Sequence, residues 1–370
     1  MRVLVVLLTA LFLSCQTKHD GFVINGQIEG VEDSTLVILY DVEQQMNIYS
    51  AFSKNGKFVL QGNVEQPTGY WLRCGNEYAN IQVENLEMTF TSPIENMNIN
   101  CKITGGEEQR LQNKLQELQR PYDVAYLAAY DSLVGEKYAT EEEKRQLIDR
   151  FNTAQAASQQ IYIDFGKRHA DSYLGLDIIY RNRQSIARDS LITLFEGLPP
   201  SLKTASNAEG LRVFLYEEIA AEGKPFIDFN AKTLDEKNFM LSSLRGKHIY
   251  LSFWSAGCGP CRMENKFFSE NFERVPEDLA IVSFSLDKGV TAWVKASEQD
   301  SILWHNVSDL KGGSGKVKTQ YGVQAMPTSF LIDKNGTIIK KFVGFDPQTD
   351  IIDELVKTID ESHEKNSETV

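Results

Sequence analysis

One stretch of sequence decides the fold, IYLSFWSAGCGPCR, which runs from Ile249 to Arg262. Its first six residues, 249–254, are apolar or aromatic except for Ser252, which is typical of a buried β-strand. A helix is predicted from about Pro260, because proline suits the first helical turn, where its missing N–H would have no partner. The stretch therefore predicts a strand that passes into a helix, with a Cys-x-x-Cys motif at the junction.

The two cysteines of this motif have different expected roles. Cys258 lies at the start of the predicted helix, where free backbone N–H groups and the helix dipole favour negative charge and lower the pKa of a thiol. We expect its thiolate to attack a substrate disulfide. Cys261 lies one turn further along on the same side, and we expect it to resolve the mixed disulfide by attacking the sulfur of Cys258.

Two other interpretations of the motif have less support. A structural zinc site needs a second pair of ligands, but the sequence has no second Cys-x-x-Cys and its five histidines are scattered. A purely structural disulfide between residues so close in sequence would close too small a loop to stabilise much. Neither a metal nor an organic cofactor is expected, because electrons would travel through the dithiol itself.

A second element supports redox chemistry. Met326-Pro327-Thr328 stands directly before the apolar run 329–332, about 65 residues after the motif. A proline before a strand is by itself only a strand-start signal. Beside a dithiol, Pro327 becomes a candidate cis-proline, and the backbone of Met326 could pair with a bound peptide. Trp254, Gly259 and Pro260 are predicted to line the same substrate groove.

Around the motif, residues 223–361 alternate between strand and helix patterns. We predict strands at 249–254, 279–286, 328–332 and 338–343, and a closing helix at 350–361. Such alternation implies a central sheet flanked by helices. The glycine-rich run 311–316 lacks the spacing of a phosphate-binding loop and is predicted to be a flexible loop. Residues 362–370 are expected to form a frayed tail.

The middle of the chain, residues 106–222, is predicted to be a helical spacer or small bundle. Thr140 and Glu143 have the spacing of a capping box that opens a helix. Pro121 is expected to interrupt or kink the preceding helix. We find no chemical motif in this segment.

The front of the chain, residues 15–105, contains short β-rich runs separated by turn residues, which predicts an antiparallel sandwich or barrel. Asn55-Gly56 is a two-residue hairpin signal. Cys74 and Cys101 lie in this part, and the sequence leaves open whether they pair.

The N-terminus has the pattern of an export signal. Arg2 precedes an apolar run, 3–13, which at about 16 Å is too short to cross a bilayer and fits the apolar part of a signal peptide. Ser14-Cys15 at its end resembles the lipobox of bacterial lipoproteins, which implies cleavage after residue 14 and acylation of Cys15. An ordinary secretory signal with a chance cysteine is the alternative. In both cases the chain leaves the cytoplasm, and disulfide chemistry becomes possible in the compartment that it enters.

Composition excludes other classes. The chain has 370 residues, 42% hydrophobic and 24% charged, which is enough apolar material for two or three domains with real cores. Its 38 basic and 51 acidic residues give a formal net charge of −13. Nucleic acid is therefore not an expected partner, because phosphate binding needs a basic surface.

Several motifs in residues 223–361 occur in a defined order. They are Ser243-Leu244-Arg245-Gly246-Lys247, Phe253-Trp254, Cys258-Gly259-Pro260-Cys261-Arg262, Glu264, Ser285-Leu286-Asp287, Trp304, Tyr321-Gly322-Val323, Met326-Pro327-Thr328 and Phe330-Leu331-Ile332-Asp333. Together they resemble the TlpA/ResA-like branch of the thioredoxin-fold family. The front region is similar, in strand pattern only, to a β module of unknown function that precedes such domains in envelope lipoproteins.

The resemblance implies a further role and also marks departures. Glu264 corresponds to an acidic residue that handles protons near the dithiol in membrane-anchored reductases of this branch; the alternative is a solvated glutamate that pairs with the helix dipole. The family usually has Trp where Gly257 stands, which implies a more open and flexible site here. Thioredoxins proper bury an Asp where Ser252 stands, and relatives often have a kinking Pro at the position of Lys266.

These observations predict a multidomain α+β protein with a front β module, a helical middle and a C-terminal thioredoxin-like α/β sheet. The predicted function is an envelope thiol–disulfide oxidoreductase, periplasm-facing or surface-exposed, anchored through lipid on Cys15. Its expected partners are protein disulfide substrates and an upstream electron donor. The Gly-Pro pair between the cysteines favours a reductase. An oxidase or isomerase that uses the same dithiol, and a surface-binding lipoprotein with a scaffold thioredoxin domain, are the alternatives.

Overall fold

The computed structural model describes residues 20–367. The predicted signal peptide, residues 1–14, and Cys15 lie outside the described residues. Within residues 20–367, no helix is both long and apolar enough to cross a membrane.

The front module consists of short strands and one short helix. These elements are β1 (Phe22–Glu29), β2 (Leu36–Asp41), β3 (Met46–Phe52), β4 (Lys57–Gly62), β5 (Thr68–Cys74), β6 (Glu77–Val83), β7 (Glu87–Pro93), α1 (Met97–Asn100) and β8 (Lys102–Thr104). They form two four-stranded sheets in the orders β4-β1-β7-β8 and β3-β2-β5-β6. Alternate residues of β1 and β7 are buried, and side chains from both sheets share one apolar core, as expected for a sandwich.

Two details of the front module differ from the sequence prediction. β1 and β7 pair in parallel, so the sandwich is not wholly antiparallel. The chain between them is long enough to cross to the second sheet and return, as a parallel pair requires. The Asn55-Gly56 turn forms the predicted two-residue hairpin, with positive φ at both residues and Lys54 paired with Lys57 across it, but the strands that it joins, β3 and β4, belong to different sheets. Cys74 is buried and Cys101 half-buried, and both are free thiols.

The middle of the chain is helical, as predicted. Its helices are α2 (Glu107–Val134), α3 (Glu141–Arg168), α4 (Tyr173–Arg181), α5 (Arg188–Glu196) and α6 (Ser206–Tyr216). The capping box at the start of α3 is confirmed: Thr140 Oγ1 accepts the Glu143 N–H at 3.2 Å, and Glu143 Oε2 accepts the Ala139 N–H at 2.6 Å. Helix α2 continues through Pro121, so the predicted interruption is wrong, and the alternative of a kink stays a prediction. Pro121 lies within α2 on its exposed side, where water can satisfy the carbonyl that proline leaves free.

The C-terminal part is a central sheet with helices against it. Its elements are β9 (Asn230–Thr233), β10 (Asn238–Met240), β11 (His248–Trp254), α7 (Gly259–Glu270), β12 (Leu279–Ser285), α8 (Val290–Gln299), β13 (His305–Ser308), α9 (Lys316–Gln320), β14 (Thr328–Ile332), β15 (Ile338–Val343) and α10 (Ile351–Ser367). The strand order is β10-β9-β13-β12-β11-β14-β15. The predicted strands and the helix after Cys258 are confirmed, and the closing helix extends past its predicted end at 361.

Strand β11 passes through the middle of this sheet and is buried along its whole length. Leu251 and Phe253 belong to the main core on one face, together with aromatic residues of β12 and β14. Tyr250 packs on the opposite face against Phe268 of α7, with 5.3 Å between ring centroids. Because side chains alternate along a strand, Trp254 also lies on the α7 face. The end of β11 therefore delivers the Cys-x-x-Cys segment to the start of α7.

Candidate active site

The two cysteines of the motif form a disulfide at the start of α7. Cys258 is the N-cap residue, and its Sγ accepts a hydrogen bond from the backbone N–H of Cys261 at 3.3 Å. The two Cα atoms are 5.3 Å apart. Cys258 thus occupies the predicted position, where unpaired helical N–H groups stabilise a negative sulfur.

The loop before Cys258 is fixed by buried charged groups. The Ala256 N–H donates to both carboxylate oxygens of Asp287, at 3.1 and 3.0 Å, and Asp287 is fully buried. The Ala256 carbonyl accepts from Arg262 Nη1 at 3.1 Å. Arg262 also forms an ion pair with Asp300, whose side chain is inaccessible to solvent. Burial raises the pKa of Asp287, and its hydrogen bonds from Ser285 and Ala256 only partly offset this.

Glu264 lies one helical turn after Cys261 and is almost completely buried. Tyr250 Oη donates to its Oε1 at 2.7 Å, and Ser252 Oγ donates to its Oε2 at 2.6 Å. Burial raises the pKa of the carboxyl, and these two hydrogen bonds only partly offset the rise. The interpretation of Glu264 as a solvated residue is therefore wrong. Ser252, which stands where thioredoxins bury an aspartate, instead positions this glutamate from the neighbouring helix.

A cavity of about 330 Å³ lies beside Glu264. Its other walls come from the end of β15, the segment that follows it and the first turn of α10, including Phe342, Gly344 and Glu354.

We expect Glu264→Gln to change the pH dependence of stability. Since burial raises the pKa of Glu264 in the folded state, the folded protein holds this proton more tightly than the unfolded chain does. The wild type should lose stability as pH rises from the unfolded pKa through the folded pKa. Urea unfolding between pH 4.5 and 8 should therefore show that the free energy of unfolding of the variant increases relative to that of the wild type as pH rises. Glu273→Gln, on the exposed surface, is the matched control; a difference independent of pH would contradict the prediction.

The other residues that were predicted to line the substrate groove differ in their exposure to solvent. The Met326–Pro327 peptide bond is cis, as the sequence suggested, and Met326 packs against the cluster that contains Cys258 and Cys261. Gly259 and Pro260 are exposed. Trp254, in contrast, is fully buried in that cluster, and its predicted contact with a client stays a prediction. Its ring packs on the dithiol side of the sheet because it continues the α7-facing row of β11.

The predicted openness of the site is also wrong. Cys258 is only 1% exposed and Cys261 0%. The β2–β3 turn of the front module lies against Gly257. A Cβ atom at residue 257 would come within 3.0 Å of the backbone carbonyl groups of Gln44 and Gln45. Sequence reasoning missed this contact, and the glycine before Cys258 is the one local signal that could have indicated it.

In the part of the chain that the structure describes, no group of three or more His, Cys, Asp and Glu side chains could hold a metal ion.

A strand that ends in a Cys-x-x-Cys disulfide at a helix N-terminus, with a cis-proline segment beside it, defines a thioredoxin-like domain. Comparison with known proteins agrees. Residues 221–359 match the Redoxin family, and residues 22–112 match the family described as Domain of unknown function (DUF4369). The chain is 35% identical over 132 residues to thiol-disulfide oxidoreductase ResA of Bacillus thuringiensis subsp. konkukian, covering 35% of this chain and 75% of that protein.

Two further proteins are also similar to about a third of this chain. ResA of Geobacillus thermodenitrificans is 29% identical over 139 residues, covering 37% of this chain and 78% of that protein. The solved thioredoxin domain of a thiol-disulfide oxidoreductase from Bacteroides vulgatus is 26% identical with a TM-score of 0.32, covering 38% of this chain and 96% of that one. The chain belongs to the ResA-like family of thiol–disulfide oxidoreductases.

Proposed function

We propose that the protein is a reductase of protein disulfides, exported and lipid-anchored in the cell envelope, that acts through the Cys258–Cys261 dithiol. The observation that carries the proposal is the place of Cys258 at the N-cap of α7, with its sulfur bonded by the Cys261 N–H. That N–H and the helix dipole favour the thiolate once the disulfide is reduced.

The exchange proceeds in two steps. The Cys258 thiolate attacks one sulfur of a client disulfide, the client S–S bond breaks, and its second sulfur leaves as a thiolate that takes up a proton. Cys261 then loses its proton and attacks the Cys258 sulfur, which releases the first client sulfur and forms the Cys258–Cys261 disulfide. The client gains two electrons, the dithiol loses two, and an upstream dithiol donor restores it.

Two neighbouring features assist these steps. Glu264 is proposed to exchange the proton of Cys261, since it is buried one helical turn after that cysteine, burial raises the pKa of its carboxyl, and it lines a cavity of about 330 Å³. The backbone of Met326, before the cis-proline Pro327, is proposed to pair with the client chain, with Gly259 and Pro260 as the exposed floor of the groove.

The direction of electron flow can be tested by redox titration of the dithiol in the full chain. The Gly-Pro pair is the basis for the reductase direction, and we expect a midpoint nearer to that of thioredoxin, about −270 mV, than to that of the oxidant DsbA, about −120 mV. Equilibration with dithiothreitol and glutathione buffers, read out by alkylation and mass, gives the value. A midpoint near −120 mV would instead favour the oxidase, and one near −180 mV the isomerase.

We divide the proposed mature chain into a β module (15–105), a helical spacer (106–222), a thioredoxin-like domain (223–361) and a tail (362–370). The proposed envelope location depends on the sequence of residues 1–15. Mass analysis of the mature N-terminus tests the anchor. Acylated Cys15 as the first residue supports it, and an unmodified N-terminus further along the chain contradicts it.

A further inference from the structure

The β2–β3 turn of the front module is docked beside the dithiol through the side chain of Gln44. Its Nε2 donates to the backbone carbonyl of Leu286 at 3.1 Å, and its Oε1 accepts the backbone N–H of Lys288 at 2.8 Å. Gln44 is only 3% exposed. The carboxamide therefore satisfies one backbone acceptor and one backbone donor just past the end of β12, as the peptide group of an extended chain would.

The turn is shaped for this contact. Asp41 Oδ1 accepts the N–H groups of both Glu43 and Gln44 at 2.9 Å, which fixes the turn before it reaches the other domain. The Gln44 and Gln45 carbonyl groups then occupy the space where a side chain at Gly257 would lie. Gly257 directly precedes Cys258, so the docked turn lies beside the residue whose sulfur a client must reach, and that residue is only 1% exposed.

Charge and small residues complete the docking surface. The Glu43 carboxylate lies 3.7 Å from Lys288 Nζ and 3.5 Å from Lys318 Nζ. It also sits against Gly313, where a Cβ atom would overlap the carboxylate. The Glu43 side chain of the turn therefore lies against the glycine-rich run 311–316, which the sequence predicts to be a flexible loop.

We propose that the turn 41–45 is a lid on the dithiol, that Gln44 is its latch, and that a client reaches Cys258 only after its own backbone has displaced Gln44 from Leu286 and Lys288. The inference rests on the proposed role of Cys258 as nucleophile. This displacement leaves no backbone group of Leu286 or Lys288 without a hydrogen bond, because a client peptide group offers the same N–H donor and C=O acceptor as the Gln44 carboxamide. The partner surface is therefore a backbone-binding edge, suited to an extended polypeptide and not to a small disulfide.

The test compares alkylation rates in the reduced full-length chain. Iodoacetamide at neutral pH is the probe, and peptide mass analysis identifies the modified cysteine. Gln44→Ala removes both latch hydrogen bonds, so we expect alkylation of Cys258 to be at least about fivefold faster than in the wild type. Gln61→Ala, an exposed glutamine in β4 of the same module, is the matched control and should not change the rate.

A second variant keeps the test independent of any folding defect in the first. Gly257→Ala places a methyl group against the Gln44 and Gln45 carbonyls and should also accelerate alkylation, while the double variant should add little because both changes open the same lid. Equal Cys258 rates in the wild type, Gln44→Ala and Gly257→Ala would overturn the lid. Faster alkylation without any insulin reduction would support the lid and overturn the reductase.

Discussion

Cys258→Ser is expected to lower the rate of insulin disulfide reduction by at least about 10³-fold, because the hydroxyl cannot supply the thiolate that forms the mixed disulfide. The substitution removes one sulfur from a buried position and leaves the N-cap, since serine is itself a preferred N-cap residue. Loss of activity should therefore occur without loss of the fold, which circular dichroism and urea unfolding can verify.

Cys101→Ser is the matched control for this prediction. Cys101 is a free, half-buried thiol in the front module, with its sulfur near Gln116 and not near the dithiol. We expect this variant to retain wild-type insulin reduction. Residual activity of more than a few per cent in Cys258→Ser would show that another group carries the chemistry.

Arg262→Ala is expected to lower the free energy of unfolding by about 3–5 kcal/mol, because it leaves the carboxylate of Asp300 buried without its cation. Asp300 is inaccessible to solvent, whereas the Arg262 side chain is 23% exposed. The same change frees the Ala256 carbonyl from Arg262 Nη1. The loop before Cys258 should therefore loosen, and disulfide reduction should slow beyond what the folded fraction explains.

Urea unfolding at neutral pH measures the expected loss in the free energy of unfolding, and Arg110→Ala is the matched control. Arg110 forms an exposed ion pair with Glu107 at the start of α2, and we expect its removal to have little effect. Equal unfolding free energies for Arg262→Ala and the wild type would contradict the assigned role of the buried pair.

The local chemistry of the site could be predicted from sequence because it depends on neighbouring residues. The strand 249–254 and the helix start beside Cys258 each follow from residue types at short range. A central sheet flanked by helices in the C-terminal part follows from strand and helix alternation in the same way. The cis bond before Pro327 is indicated only when that proline is considered together with the Cys-x-x-Cys motif about 65 residues earlier.

Long-range contacts account for most of what the sequence did not reveal. Gln44 is 242 residues from Leu286 in the chain, and its local sequence carries no sign of that partner. The burial of Glu264 depends on hydroxyl groups from Tyr250 and Ser252, which come from a strand under the helix. The parallel pairing of β1 with β7 likewise depends on the path of the intervening chain.

Gly257 illustrates how one residue can be interpreted in opposite ways. As an isolated departure from the family pattern, a glycine before Cys258 suggests an open site. In the folded chain the missing side chain lets the backbone of the β2–β3 turn approach the loop closely, and Cys258 is only 1% exposed.

The central claim is that the Cys258 sulfur makes the first bond to a client. The most direct test is to incubate reduced Cys261→Ser full-length chain with insulin, stop the reaction with acid, and map the disulfide-linked peptides by mass spectrometry. Without Cys261 the mixed disulfide cannot be resolved, so we predict an insulin cysteine joined to Cys258. Insulin joined only to Cys74 or Cys101, or no adduct after prolonged incubation, would contradict the account.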